Sequence, residues 1–535
     1  MTTTPSTAKA APASPHREAE AAVPVAGRRS SYARWLRLAA CLPTAIFVIC
    51  IMLPPLNHDV AAVLDFSRRW LAGETLYVDL IDVNPPLVFI LNLVPAALAH
   101  WTVLSQPQAM VVCLLALAFL FWRLIEALRR GRPEGPVEAA VLTAALPFIV
   151  VAAGSDFGQR DVMMAVAGIP YCLLAARRID GQPTPLRLSL LVAALAAVGF
   201  ALKPHFLGVP VLVEGFVLLR RGPWAMRRDP VPWTMLGIWL AYLASVPLFF
   251  PAYVNQVVPM AWKFYADIHG PGRWRVLVTD LMGAAEALLL LAVPLGLRRD
   301  AGAFGQALAL SAVGAFMAAW VQHKGWTYHV MPMTLFGLAA LAVSASRWID
   351  RTMPGHRAQA SAPALALIAV AGLFAYQLRG GETPWREFTF EDETAGQLTN
   401  WLERVARGQP VLVLTPDIFP VYPALTYADA HQTLNAMSTW LLQGFYRNCP
   451  AGAVPYRPPS AMRRSEFAVY QTVAENFAAN PPVALVVSRE AHIPSCRGRF
   501  DLLAYFARNP LFGETLERYA PAGEIGNYRL FLRKY

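Results

Sequence analysis

The stretch LAACLPTAIFVICIMLPPLNHD, residues 38–59, sets a long apolar run directly against a polar triplet. From Leu38 to Leu56 it is nearly free of polar groups and long enough to cross a bilayer, and Asn57, His58 and Asp59 follow at once. Similar runs recur along the 535 residues. Hydrophobic residues make up 56% of the chain and charged residues only 15%, where a soluble domain carries about 25% charged residues. The composition therefore describes a polytopic α-helical membrane protein.

Working outward from this stretch, apolar runs predict spans near residues 35–55, 107–125, 137–153, 162–176, 188–202, 206–219, 231–250, 276–297, 302–320, 330–345 and 361–377, about eleven in all. The net charge of +11 is not a nucleic-acid footprint, because residues 378–535 hold 16 Lys/Arg against 15 Asp/Glu. The excess sits in short clusters between spans: Arg129/Arg130/Arg132, Arg177/Arg178, Arg220/Arg221, Arg227/Arg228 and Arg298/Arg299. Such clusters mark cytoplasmic loops. With the N-terminus inside, the inner connections carry 15 Lys/Arg and the longer outer ones 8. That bias expects a bacterial inner-membrane protein with a cytoplasmic N-terminus and a periplasmic C-terminal part.

Three regions follow. Residues 1–33, rich in Ala, Pro, Ser and Thr, cannot bury a core and read as a disordered cytoplasmic tail; a cleavable signal peptide is not expected. Residues 34–378 form the membrane domain, and residues 379–535 a small soluble α/β domain. In the latter, helices are predicted over 393–407, 462–479 and 499–508, and strands over 411–415, 483–488 and 528–533. Cys449 and Cys496 fall in this part and could pair if it lies outside, although sequence does not show their separation.

The first outer connection, 56–106, is long. Asn57 can cap a helix from His58 to about Ala72 whose apolar residues share one face. An amphipathic helix of this kind lies along the membrane surface. A span over the apolar segment 85–102 would invert every later loop, so it reads as a helix in the outer interface or dipping into the membrane.

Polar residues gather at the outer ends of the spans. Asp59 follows the first; GSDFGQRD (154–161) contains Asp156, Arg160 and Asp161; Lys203-Pro204-His205 separates two spans; QHKGWTYH (322–329) contains Lys324, Tyr328 and His329. Ionisable groups at membrane depth are costly and are functional candidates. The chemistry that fits is transfer of a sugar from a polyprenyl-phosphate carrier to an acceptor hydroxyl. A phosphate leaving group needs cations more than a general acid, and Arg160, Lys203 and Lys324 could supply them, with His205 and His329 adding hydrogen bonds. The attacking hydroxyl needs one carboxylate base, and Asp59 is placed for that role. Asp79, Asp82 and Asn84 flank the turn before the 85–102 segment and could shape the pocket. No ligand spacing demands a metal, although a divalent ion is compatible with Asp79 and Asp82. No nucleotide-binding Gly-rich loop or nucleophile motif is present.

This order of pieces resembles the GT-C superfamily of integral-membrane glycosyltransferases, the group that includes lipid A aminoarabinose transferases and protein O-mannosyltransferases. The matching pieces are NHDVAAVLDFSRRWLAGETLYVDL after the first span, VNPPLVFIL, GQRDVMM, ALKPHF and KGWTYHVMP, over roughly residues 35–345. The resemblance implies Asp59 as catalytic base, Lys203 as a phosphate contact, an active site at the outer surface and an undecaprenyl- or decaprenyl-type donor. Many relatives have Lys before the double proline where this chain has Asn84, so Arg160 or Lys324 would replace that contact. The acceptor would be a glycan, a lipid or a protein, and nucleic acid is excluded.

Blander readings stand beside each residue. Asp59 could cap its helix, Arg160 and Asp161 could form an interfacial ion pair, and Lys203 could snorkel. Trp326 and Tyr328 suit an ordinary aromatic belt, and Asp79 and Asp82 an ordinary turn. The rival class is a transporter or lipid flippase. Such proteins often show repeated halves, and none is found here. A non-catalytic scaffold would leave the polar residues unexplained.

Overall fold

The computed structural model describes residues 25–265, 270–378 and 388–534. The tail expected over 1–33 lies outside the described residues as far as residue 24, and helix begins at Val25. The chain then forms α1 (Val25–Met52), α2 (His58–Leu71), α3 (Pro86–Trp101), α4 (Gln106–Arg129), α5 (Pro136–Val151), α6 (Arg160–Ile179), α7 (Leu186–Ala201) and α8 (Gly208–Arg221). After the short α9 (Pro223–Arg227) come α10 (Pro230–Phe249), α11 (Val258–Phe264), α12 (Asp280–Leu297), α13 (Gly302–Gln322), α14 (Thr327–Thr352) and α15 (Gly355–Gln377).

Among the described residues, eight of these helices are long and apolar enough to cross a membrane. The other three expected spans form helices of close to the expected length but too short to cross the hydrocarbon core upright: α5 and α7 have 16 residues and α8 has 14. A helix of 16 residues rises about 24 Å, less than the roughly 30 Å hydrocarbon core. Turn residues cut them off. Gly135-Pro136 opens α5, Lys203-Pro204 follows α7, and Gly222, with φ of 80°, stops α8. The 85–102 segment forms α3, packed on α2 and α4.

Burial separates centre from rim: α6 is 89% buried, whereas α10 is 11% buried and presents nearly its whole surface outward. Small residues let the inner helices approach closely. A Cβ on Gly314 of α13 would lie 2.8 Å from the Val209 Cα of α8, so only glycine permits that crossing.

At one end of the bundle the basic clusters meet. Arg177 donates to the carbonyls of Leu128 and Arg130, and Arg178 binds Glu214 and Asp229, each at 2.7 Å. Arg132 and Arg347 share Glu138 at 2.8 and 3.3 Å, while Asp350 caps the first amides of α5. The opposite end carries the C-terminal domain.

That domain contains α16 (Thr394–Ala406), β1 (Pro410–Leu414), α17 (Val421–Tyr427), β2 (His431–Gln432), α18 (Trp440–Phe445), α19 (Arg464–Ala479), β3 (Ala484–Ser488), β4 (Tyr519–Ile525) and β5 (Tyr528–Arg533). The sheet order is β2-β1-β3-β5-β4. β1 runs parallel to β2 and β3, with Val411 opposite Ala484, and β5 returns antiparallel to β3 and β4. Both faces of β1 and β3 are covered, which is why VLVL and ALVVS read as continuous apolar runs. Val411, Val413 and Val486 join the core continuous with the helical bundle; Leu412, Leu485 and Val487 join a second core with α18 and α19. Cys449 and Cys496 are disulfide-bonded.

The domain docks through the first connection. Ile81 N donates to the Asn435 carbonyl at 2.7 Å, Arg69 to the Leu434 carbonyl at 2.9 Å, and Tyr422 Oη to Asp65 at 3.0 Å. The amphipathic helix predicted for the membrane surface is therefore partly roofed by protein.

Candidate active site

Asn57 is the organising side chain. It ends the loop after α1 and caps α2, accepting the Asp59 amide at 2.9 Å. Its Nδ2 donates to Asp156 at 2.9 Å and its Oδ1 accepts from Gln159 at 2.6 Å. Gln159 also donates to Asp59 Oδ2 at 3.1 Å. The start of α2 is thus tied to the turn before α6, and the Asp59 carboxylate is held at a set position.

A cavity of about 480 Å³ opens there. Asp59, Asp82, Asn84, Asp156, Arg160 and Tyr328 line it together with His58, Tyr265 and Trp326. The remaining wall comes from the C-terminal domain, through Pro416–Phe419, Met437, Ser438 and Trp440. Trp440 stands edge-on to Tyr265, ring centres 5.2 Å apart, and Phe419 edge-on to His58 at 5.8 Å. The chamber therefore has carboxylates at its base and aromatic rings along its sides, a lining suited to the hydroxyl groups and apolar faces of a sugar.

Arg160, the first residue of α6, donates to Asn84 Oδ1. It also lines a second, apolar cavity of about 200 Å³ between α3, α4, α6 and α7, walled by residues such as Leu91, Met110, Leu117 and Leu195. One guanidinium thus stands on the walls of both spaces.

Burial raises the Asp59 pKa, but His58, Arg160 and hydrogen bonds from Gln159 and Tyr328 outweigh it, so the carboxyl is held below the usual range. Asp82 behaves oppositely. Burial, with repulsion from Asp59, pushes it up to about 6 against the Asn84 amide hydrogen bond and Arg160. Two carboxyls in one chamber thus have their proton affinities driven apart, which is how acid and base roles are separated.

The other predicted residues lie elsewhere. Lys203 Nζ is bonded to Asp161 at 2.6 Å and Gln322 at 2.8 Å, with His329 Nε2 at 3.4 Å, and lines neither cavity. An ammonium has three hydrogens, and these contacts tie Lys203 into a buried cluster. His329 and Asp161 belong to that same cluster and do not line the chamber, although the His329 ring packs behind Trp326 and Tyr328 of its wall. His205 packs its ring edge-on against Phe206 at 5.1 Å and is not on the wall. Lys324 donates to the Tyr265 carbonyl at 3.4 Å and lies over the Tyr265 and Trp326 rings, just behind the wall. Asp79 faces away and accepts the Thr75 amide at 2.7 Å, a turn role. Among the described residues no group of three or more His, Cys, Asp and Glu could hold a metal ion.

Sequence reasoning missed Gln159, Tyr265 and the whole C-terminal wall, and read Asn57 only as the helix cap that it is. Gln159 lay inside a quoted polar stretch but carries no charge to single it out.

A polar chamber above a helical bundle, roofed by a small mixed-sheet domain, is a fold that this chain shares with solved structures. The particular structures it is similar to are two crystal structures of ArnT from Cupriavidus metallidurans. The one bound to undecaprenyl phosphate superposes with a TM-score of 0.56 at 13% identity, covering 93% of this chain and 97% of that one. The apo structure gives 0.57 at 12% identity, covering 94% and 98%. No family model matches the sequence, and no curated protein matches it.

Proposed function

We propose that this protein is a glycosyltransferase of the bacterial inner membrane that moves a sugar from a polyprenyl-phosphate donor to an acceptor hydroxyl at the periplasmic face. The observation that carries the reading is Arg160, which stands where an apolar cavity meets the carboxylate chamber. A donor with a polyprenyl tail, a phosphate and a sugar has the same three parts in the same order. The ArnT crystal structure with undecaprenyl phosphate supports this class of lipid.

In this reading the tail enters the apolar cavity, the phosphate meets Arg160, and the sugar occupies the aromatic-sided chamber. Asp59 takes the proton of the acceptor hydroxyl. That oxygen attacks the anomeric carbon, the bond from this carbon to the phosphate oxygen breaks, and polyprenyl phosphate leaves with its new charge held by Arg160. Asp59 is ionised at neutral pH and available for this step; Tyr328 and Gln159 aim it. Lys203 and Asp161 brace the start of α6 that presents Arg160. The acceptor, a glycan, lipid or protein, approaches past Pro416–Phe419.

The proposed sidedness rests on two supports. The Cys449–Cys496 disulfide suits an oxidising compartment, and the arginine clusters gather at the other end, as cytoplasmic loops do.

The test is sugar transfer by the purified protein over a panel of polyprenyl-phosphate sugars, wild type against Asp59→Asn. Transfer by the wild type that falls at least about a hundredfold in folded Asp59→Asn is expected. Transfer that survives the substitution removes Asp59 as base, and no donor consumption across the panel removes the transferase.

A further inference from the structure

Asp417 lines the chamber from the C-terminal domain, on the wall that also carries Phe419 and Trp440. It follows β1, while His492 and Glu490 follow β3. The two strands are parallel neighbours, with Leu414 opposite Val487, so both loops leave the same edge of the sheet. The carboxyl ends of parallel strands are where open α/β sheets hold their ligands.

The side chains at this edge are tied in a row. His492 donates through Nδ1 to Asp417 Oδ2 and through Nε2 to Glu490 at 3.0 Å. Burial lowers the His492 pKa, but Asp417 and Glu490 outweigh it and hold the imidazolium above the usual histidine range. Its backbone φ of 46° lies in the left-handed region, unfavourable for a residue with a Cβ and of the kind that clusters at functional sites. The turn that presents Asp417 is equally fixed. Thr415 Oγ1 donates to the Asp417 carbonyl at 3.1 Å, and Ser438 Oγ to the Pro416 carbonyl at 3.0 Å. The row engages Oδ2 of Asp417 and leaves Oδ1 to accept from a molecule in the chamber.

Under the proposed function the donor phosphate lies at Arg160, so the C-terminal wall faces the acceptor. A carboxylate beside aromatic rings suits a sugar: the carboxylate accepts from its hydroxyls and the rings cover its apolar face. We propose that the acceptor is a sugar unit and that Asp417 fixes it by accepting from a hydroxyl other than the attacking one, with His492 as the positioning residue behind Asp417. The inference rests on the transferase reading. A serine or threonine side chain has one hydroxyl, which the attack consumes, and so offers nothing to Asp417.

The experiment uses the full chain in detergent, a polyprenyl-phosphate sugar that the wild type consumes, and two acceptor sets: methyl glycosides, and peptides rich in serine and threonine. Transfer to methyl glycosides and not to the peptides is expected. Asp417→Ala should raise the KM for the glycoside about tenfold. Its kcat and donor KM should stay within about twofold of wild type, and His492→Gln should raise the same acceptor KM about threefold. A merely structural role would instead lower the melting temperature and kcat together. Transfer to the peptides, donor consumption without transfer to any glycoside, or an unchanged acceptor KM in folded Asp417→Ala overturns the inference and leaves the transferase standing. A wild type that consumes no donor overturns the transferase reading and this inference with it.

Discussion

Lys203 Nζ lies 2.6 Å from Asp161 Oδ2, joining the α7–α8 turn to the start of α6. Both side chains are buried, so each ion depends on the other. Removing one partner leaves an uncompensated charge at a cost of about 3–5 kcal/mol. Lys203→Met and Asp161→Leu should each lower the melting temperature strongly, and the double variant should recover much of the loss. A thermodynamic cycle in detergent measures this. Losses that simply add would mean that the two residues act independently.

Gln159 steadies Asp59 by hydrogen bonding to its ionised form, which lowers the carboxyl pKa. Gln159→Leu removes that bond, so the Asp59 pKa rises. Under the proposed function Asp59 is a base that works only when deprotonated, and activity is then lost first at low pH. The acidic limb of kcat/KM should move upward by about one pH unit or less, with activity nearer to wild type at pH 8. A pH–rate profile of the two proteins decides it.

Asp82 has its proton affinity raised by burial, to a pKa of about 6. The folded state therefore holds its proton more tightly than the unfolded chain does. The resulting stabilisation is complete below the unfolded value near 3.8 and disappears as pH rises through about 6. Asp82→Asn escapes the charged state. It should be more stable than wild type at pH 8, by roughly 1–3 kcal/mol, and keep only about half of that advantage at pH 5. Melting curves at the two pH values provide the comparison.

The Cys449–Cys496 bond joins residues 47 apart. Chain-entropy arguments give such a loop about 4 kcal/mol of stabilisation. Replacing both cysteines by serine should expose the C-terminal domain to limited proteolysis before the membrane helices are cut. Unchanged protease resistance would show that packing on the sheet holds the domain without the bridge.

The helices were legible because membrane solvation forces long apolar runs, and those runs need no knowledge of what they pack against. Asp59 and Arg160 were legible because charges beside apolar segments stand out. The ends of α5, α7 and α8 fall within two residues of the expected ones, because glycine and proline at the connections interrupt the apolar runs. The tie between Lys203 and Asp161 was not legible because the partner lies 42 positions away in sequence, and a lone lysine looks the same whether it awaits a phosphate or already holds an aspartate. Phe419 and Trp440 gave no signal at all. Their place on the chamber wall follows from docking through Ile81, Arg69 and Tyr422, contacts that span more than 350 positions.

That wall has a consequence for biosynthesis. The membrane helices end at Gln377, yet Trp440 is part of the chamber. A ribosome that has delivered every span has made a carboxylate floor open on one side. The chamber closes only after a further stretch of chain has emerged and folded back onto the first connection. Nascent and truncated chains lacking it would carry a chamber open on one side, so under the proposed function activity begins with completion of the polypeptide rather than with its insertion.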